Sequence, residues 1–436
     1  MPNISTVYKE LTTDWSTSST GAYEEFAETS ALNSGEKYIV IVNVQAGSES
    51  GKNINLRCLI KGEEIAGSEF SKESISSLHE TRYSYITLVE PSSSGQKISL
   101  EAKAEFGSVI NVKTATIACL NLSNLVAGSD YIFEENTPSQ ENTESYQDLI
   151  KISIPATKKT TGDWLILAGC QFDINTSVAS LENAIEYKGT ETYPRTIENH
   201  ASSDGFSNNY IQRVVSVPYL GLPPHLGGTV SDGAYKQVTL KSRDTSNRPQ
   251  NNSCLQAKIF ALRLQSTQHS AYFQSEDSYS LSSTLGEFDQ IAAISQYQPP
   301  QDNVLTTSAG SFRTGETLIL GYGSFCPNGN ASSDVRCWMN IQWSDPDYED
   351  FISGLSSESI CVAATSSEKL PLGFAGVQSP SSLSSNKKIK MLARTYSTVG
   401  AVEGRSLCAI GLGAPVPSET QGPRAKLEMN RVIRLS

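Results

Sequence analysis

Ala115-Thr116-Ile117-Ala118-Cys119-Leu120-Asn121-Leu122 returns without a gap as Ala257-Lys258-Ile259-Phe260-Ala261-Leu262-Arg263-Leu264, and again as Arg405-Ser406-Leu407-Cys408-Ala409-Ile410-Gly411-Leu412. Positions three, six and eight are large aliphatics in every copy. Repetition of this kind has to be read before any motif, because it sets the number of folding units.

Working upstream from each octet, an alternating segment recurs: Ile98-Ser99-Leu100-Glu101-Ala102-Lys103, Val238-Thr239-Leu240-Lys241-Ser242-Arg243 and Ile389-Lys390-Met391-Leu392-Ala393-Arg394. Period two with a small third inward residue describes a strand with one wet face and one core face. From that small residue to octet position five is 17, 19 and 16 residues (102 to 119, 242 to 261, 393 to 409).

Further upstream, Gly35-Glu36-Lys37-Tyr38-Ile39-Val40-Ile41, Gly162-Asp163-Trp164-Leu165-Ile166-Leu167-Ala168 and Gly315-Glu316-Thr317-Leu318-Ile319-Leu320-Gly321 each read as a turn feeding a buried strand. An aromatic, two polar residues and an apolar residue precede each opener: Tyr23 to Phe26, Tyr146 to Leu149 and Phe288 to Ile291. They stand 12, 16 and 27 residues before the glycine, the variation expected of surface loops.

The pattern lapses in the polar stretch around Ser123 to Asn142 and in the Ser/Gln-rich stretch around Gln265 to Ser283, which read as linkers. Units fall at 1–124, 125–266 and 267–414, with an arm at 415–436. No segment keeps apolar residues at helical spacing over three turns, and Ser71 to Glu80 reads as one helical turn or a loop. The fold class is therefore all-β: three tandem β-sandwich domains, jelly-roll-like or immunoglobulin-like, each with seven or eight short strands.

The length of 436 residues agrees with three domains. Only 18% of residues are charged, and the net charge of -12 repels phosphate backbones, so nucleic acid is not an expected partner. With no apolar stretch of membrane-spanning length and no basic and apolar leader at the start, a cytoplasmic product without membrane insertion is expected. The eight scattered cysteines read as reduced core residues, with a Cys326–Cys337 disulfide left open.

Chemical motifs are sparse. Ala46-Gly47-Ser48-Glu49-Ser50-Gly51-Lys52-Asn53 nearly matches a phosphate-binding loop, but Asn53 replaces the Ser or Thr that would hold magnesium and a strand follows, so a hairpin turn is expected. His79, His200, His225 and His269 are unpaired at metal-ligand spacing. No nucleophile elbow occurs, and no catalytic residue or cofactor is expected.

Asp345, Asp347, Glu349 and Asp350 crowd one segment, which offers oxygen ligands for calcium or a carboxylate pair for glycoside cleavage; a solvated loop is the simpler reading. Trp343, beside that loop, is a candidate binding residue, whereas Trp164 within the repeated opener belongs to the core. The arm inverts the charge sign, with Arg424, Lys426, Arg431 and Arg434 against Glu428. Its apolar residues Leu427, Met429, Val432, Ile433 and Leu435 suit docking on an acidic neighbour or adding a strand to one.

With closing strands of the Ala-x-Ile-x-Ala-x-x-Leu type and low charge, residues 1–414 resemble virion structural proteins of tailed bacteriophages, in particular the repetitive decoration and appendage proteins of marine phages. The resemblance implies a non-enzymatic part of a capsid decoration, neck or collar, or tail fiber or other appendage, acting as a rigid spacer and binding surface. It implies assembly with other virion proteins in the host cytoplasm, as a homo-oligomer, preferably a trimer. A carbohydrate-binding adhesin that recognises a host-surface glycan, and a glycan depolymerase, are the alternatives from other classes.

Overall fold

A computed structural model of the chain describes residues 4–412 apart from 12, 50, 74–79, 139, 142, 158, 175–178, 188–189, 201–204, 219–234, 246–251, 268–269, 282–287, 298–315, 328–334, 345–358, 364–368, 379–386 and 396–399. The first unit holds β1 (Thr6–Glu10), β2 (Trp15–Thr17), β3 (Glu24–Glu28), β4 (Tyr38–Gly47), β5 (Asn53–Ile60), β6 (Glu63–Glu64), β7 (Phe70–Glu73), β8 (Glu80–Val89), β9 (Ile98–Lys103) and β10 (Ile110–Asn121). The second holds β11 (Tyr131–Asn136), β12 (Gln140–Glu141), β13 (Gln147–Pro155), β14 (Gly162–Ile174), β15 (Ala179–Tyr187), β16 (Thr190–His200), β17 (Gly205–Val217), β18 (Tyr235–Asp244) and β19 (Ser253–Arg263). The third holds β20 (Ser270–Ser275), β21 (Tyr279–Ser280), β22 (Asp289–Tyr297), β23 (Thr317–Pro327), β24 (Val335–Ser344), β25 (Ser359–Ala363), β26 (Leu370–Gln378), β27 (Lys387–Thr395) and β28 (Gly400–Gly411).

With the short flanking strands β2, β6, β12 and β21 set aside, the described residues of each unit form eight main strands, and their order repeats. Counted within the unit, one sheet runs 1-8-3-6 (β1-β10-β4-β8, β11-β19-β14-β17, β20-β28-β23-β26) and the facing sheet runs 2-7-4-5 (β3-β9-β5-β7, β13-β18-β15-β16, β22-β27-β24-β25). That order is two interleaved Greek keys, so each unit is a jelly roll rather than an immunoglobulin-like sandwich. The stretches read as linkers also contain each unit's first strand: β11 in one, β20 in the other.

The register shows what the repeats do. Octet position six pairs with Ile39, Leu165 and Leu318. The first opener is therefore one residue longer than the other two, and lining up the glycines would have turned every side chain of β4 to the wrong face. The small residue of the alternating strand faces Glu24, Gln147 and Asp289, and in all three units a bulge follows at the next position but one, at Phe26, Leu149 and Ile291. A repeated bulge bends the outer strand of the facing sheet and blunts its free edge.

Both faces of the octet are buried. Ile117 and Cys119, Ile259 and Ala261, and Leu407 and Ala409 enter the cores of their own sandwiches. Ala118, Leu120 and Leu122, with Phe260, Leu262, Leu264, Cys408, Ile410 and Leu412, face the opposite way and meet in one core shared by all three units. Ile39, Ile41, Leu165, Leu167, Leu318 and Leu320 complete that shared core from the neighbouring strands.

Packing between units is cyclic. The fifth main strand of each unit touches the sixth of another: β7 on β17, β16 on β26 and β25 on β8. Among the described residues, only the first of these contacts closes a ladder, Phe206 opposite Ser71, which joins two sheets into one of ten strands.

Candidate functional site

The turn between β9 and β10 presents Phe106 and Val109, which are 87% and 36% exposed. Neighbouring loops fix its backbone: Ser108 N and Oγ donate to Glu105 O at 3.0 and 2.9 Å, and Lys52 Nζ donates to Phe106 O at 3.1 Å. Asn53 donates from N and Nδ2 to the Glu105 carboxylate at 3.1 and 2.8 Å, and Ser48 Oγ donates to Val109 O at 3.2 Å. Gly107 takes the left-handed position of the turn at φ +76°. A ring held out on a backbone tied at this many points loses little entropy on being covered, which suits a contact residue. Nothing periodic in Glu105-Phe106-Gly107-Ser108 marks it in the sequence; only the fold shows that it points into solvent.

A second feature occurs once per sandwich. The basic residue ending the alternating strand lies over the aromatic that precedes the outer strand: Lys103 Nζ is 4.8 Å from the Tyr23 ring centre, and the Arg243 and Arg394 guanidinium carbons are 4.5 and 4.4 Å from those of Tyr146 and Phe288. Arg57 adds a second cation over Tyr23 at 4.0 Å. These pairs anchor the start of each outer strand to the sheet interior beside it.

Polar chemistry inside the molecule concentrates at the seams between units, around octet position two: Thr116, Lys258 and Ser406. Between the first and second units, Lys258 Nζ donates to Tyr85 Oη at 2.6 Å, Thr87 Oγ1 at 3.3 Å and Ala66 O at 3.3 Å. Burial pulls the Lys258 ammonium down to about 8, against the opposing influence of Glu135 and Cys58. Gly67 belongs to the same seam; at φ +71° any Cβ would strike the Gln256 amide. Between the second and third units, Gln212 Nε2 donates to Ser406 Oγ at 3.1 Å, and Val214 N donates to Gln274 Oε1 at 3.1 Å. At the seam between the first and third, Arg82 Nη2 donates to Asn43 Oδ1 at 2.8 Å within the first unit, and the guanidinium faces Gly373 of the third.

Two small seam cavities, of about 10 and 20 Å³, are lined by Ser84, Asn208 and Lys258 and by Asn43, Arg82 and Thr116. Each has room for a single water molecule. Among the described residues, no group of three or more His, Cys, Asp or Glu is placed to hold a metal ion, and no helix is long and apolar enough to cross a membrane.

Of the residues singled out in the sequence, Trp343 lies in β24 with its backbone opposite Ile389. Asp345, Asp347, Glu349 and Asp350, together with Arg424, Lys426, Arg431 and Arg434, lie outside the described residues, as do His79, His225 and His269. The segment resembling a phosphate loop carries the chain from β4 in one sheet to β5 in the other, so it is an inter-sheet turn rather than the hairpin expected. Trp164 is fully buried and donates from Nε1 to Thr160 O at 2.9 Å. Cys326 and Cys337 are buried and not joined in a disulfide, and Cys58, Cys119, Cys170, Cys254 and Cys408 are buried thiols as well. The inward place that Ala115 and Ala257 hold in the octet is taken in the third unit by Arg405, which donates to Ile291 O at 2.5 Å and Ser275 Oγ at 3.0 Å and sits near the Phe273 and Tyr279 rings.

No protein-family model matches the chain. No curated protein matches it in sequence either. Among solved structures it is similar to the triple jelly roll of a turret assembly in an archaeal virus, at 10% identity and a TM-score of 0.20, over 95% of this chain and 92% of that one. It is also similar to a chain of Sulfolobus turreted icosahedral virus (8% identity, TM-score 0.17, 90% and 84% covered) and to the tandem CBM22-1-CBM22-2 domain of Paenibacillus barcinonensis Xyn10C (9%, 0.18, 65% and 99%). Scores this low assign neither a family nor an activity; the jelly-roll description rests on the strand order.

Proposed function

We propose that the chain is a non-enzymatic structural protein of a virion: a rigid block that holds binding loops at fixed positions and assembles with other virion proteins. A capsid decoration, a neck or collar part, or a tail appendage of a tailed phage is the specific setting we favour. The observation that supports this most is the single apolar core shared by all three sandwiches. It joins the units face to face, so they cannot swing as beads on a string, and stiffness is what a spacer needs. Jelly rolls also recur in viral capsid and lectin domains, which agrees with the reading at the level of fold alone.

The test is to label intact particles, from the lysate in which the chain is naturally made, with antibody to the chain and to image them in negative stain. Label at a repeated position on the particle is expected. Particles free of the chain at saturating antibody, with the chain left in the soluble fraction, would sink the proposal.

Phe106 favours a second reading, recognition of a host-surface glycan by the loop end of the first sandwich. An exposed ring on a fixed turn can stack on a sugar. A glycan array probed with the native chain and with Phe106→Ala decides it, because binding that the substitution leaves unchanged rules this turn out.

A further inference from the structure

The three seams are one interface used three times. In each, the central strands of one sandwich, carrying octet position two, rest against the sixth strand of another: Lys258 on Tyr85 and Thr87 of β8, Ser406 on Gln212 of β17, and Asn43 and Thr116 against Gly373 and Phe374 of β26. First strands follow the same rule. Gln274 of β20 accepts from Val214 of β17, Tyr8 of β1 lies by Val377 of β26, and Phe133 of β11 and Leu88 of β8 pack on the same shared core. Every sandwich thus gives one face and receives one, second on first, third on second, first on third.

A contact between unlike faces either closes into a ring or propagates without end. Here it closes after three members, inside one polypeptide. We infer that the chain is its own trimer: it exists free as a monomer with every copy of this interface occupied, and a single copy fills a place whose surroundings have threefold symmetry. This deepens the virion reading and rests on it only for the last clause. The partner that fits offers three equivalent contacts around an axis, because the ring carries its peripheral features in triplicate: three blunted outer strands, each begun by an aromatic under a cation.

The chemistry of the seams differs while their geometry repeats. One is keyed by a lysine on a tyrosine, one by a glutamine on a serine, one by an arginine, held by an asparagine of its own unit, against a glycine. Unlike keys stop one sandwich from taking another's place, so they fix the order around the ring and disfavour exchange of units between chains.

The experiment uses the full chain in three measurements. Light scattering of the native protein at micromolar concentration should give the mass of one chain; a stable dimer or trimer overturns the inference. A protease site is then inserted at Gly128, in the exposed turn after Val126, and cut only after folding. The nicked pieces should stay together in gel filtration, and separation, or exchange with a tagged second preparation, overturns the saturated ring. Finally, symmetry analysis of labelled particles should place single copies on threefold positions. Placement elsewhere refutes the partner while leaving the ring intact, and complete absence from particles refutes the virion proposal instead.

Discussion

Lys258 reaches across a domain seam to donate to the Tyr85 hydroxyl at 2.6 Å, and no carboxylate pairs with its ammonium among the bonds it makes there. The same ammonium sits 4.4 Å from the Tyr85 ring centre. A buried cation held only by neutral oxygens and a ring is under-compensated, and its downward shift to about 8 expresses that cost.

The sign follows from proton counting. Between pH 8 and 10.5 the unfolded chain binds a proton at this site that the folded chain has released, so this lysine's contribution to stability rises with pH across that window and is flat below it. Relative to Lys258→Met, the native protein should gain on the order of 2–3 kcal/mol between pH 7 and 10.5. Urea melts of both proteins at the two pH values measure it, and equal pH dependence would contradict the burial of this charge.

Leu262 faces the shared core, so its truncation should loosen the association of the sandwiches rather than one sandwich alone. Leu262→Ala is expected to cost about 2–5 kcal/mol. Calorimetry should show the native chain unfolding in one transition, and Leu262→Asp, which puts a charge into the shared core, should split it into several. Several transitions already present in the native protein would mean that the seams do not couple the units.

Much of this was legible before the fold was known. The repeated octet and the alternating strand located the final and seventh strands of every unit, because alternation is a local signal. The octet even held a clue to the shared core: positions three, six and eight do not share parity, so large aliphatics project from both faces, as in a strand covered on both sides. What stayed hidden is set by distance in sequence. The choice between Greek-key orders depends on pairings such as Thr6 with Leu120, and the seams depend on Lys258 meeting Tyr85, more than a hundred residues away. Read locally, Lys258 is one more polar residue on a strand's wet face. The extra residue of the first opener was masked because its Gly-Glu matched the other copies, although the apolar run is what sets register.

The triplicate ring–cation pairs are not energetically alike. Arg243 covers Tyr146 and also donates from Nε to Glu182 at 2.7 Å, and Glu182 is only 1% exposed. Arg243→Met therefore takes the guanidinium away from a buried carboxylate, which keeps the hydrogen bond from Tyr146 Oη, and should cost about 3–5 kcal/mol. Lys103→Met removes a cation from Tyr23 while Arg57 remains over the same ring, so a loss of about 0.5–1 kcal/mol is expected. Guanidinium denaturation ranks the two, and an equal cost would show that Glu182 is not held by Arg243.

The cysteines should be chemically silent. Burial pushes the Cys58 and Cys254 thiols up to about 12 and those of Cys119 and Cys408 higher still, so thiolate is scarce at each. With a colorimetric disulfide reagent at pH 8, none of the seven described thiols should react before denaturant is added, and all should react afterwards. Rapid reaction at any of them would show that its sandwich opens.

Gly321 tests how closely the third core is fitted. It occupies the inward position held by Val42 and Ala168 in the other units, since all three sit opposite octet position three. The missing side chain is replaced from the facing sheet: a Cβ on Gly321 would lie 2.5 Å from Ile341 Cδ1 and 3.2 Å from Met391 Sδ. Because the nearer obstacle is the end of a side chain, Gly321→Ala should cost about 1–3 kcal/mol rather than abolish folding. Ile341→Val removes the obstructing methyl and alone should cost about 0.5–1.5 kcal/mol. Together the two substitutions should be less damaging than their sum, with the new methyl filling the vacated space. A double-mutant cycle by urea denaturation reads that coupling, and strict additivity would show that the two positions do not share the space assigned to them.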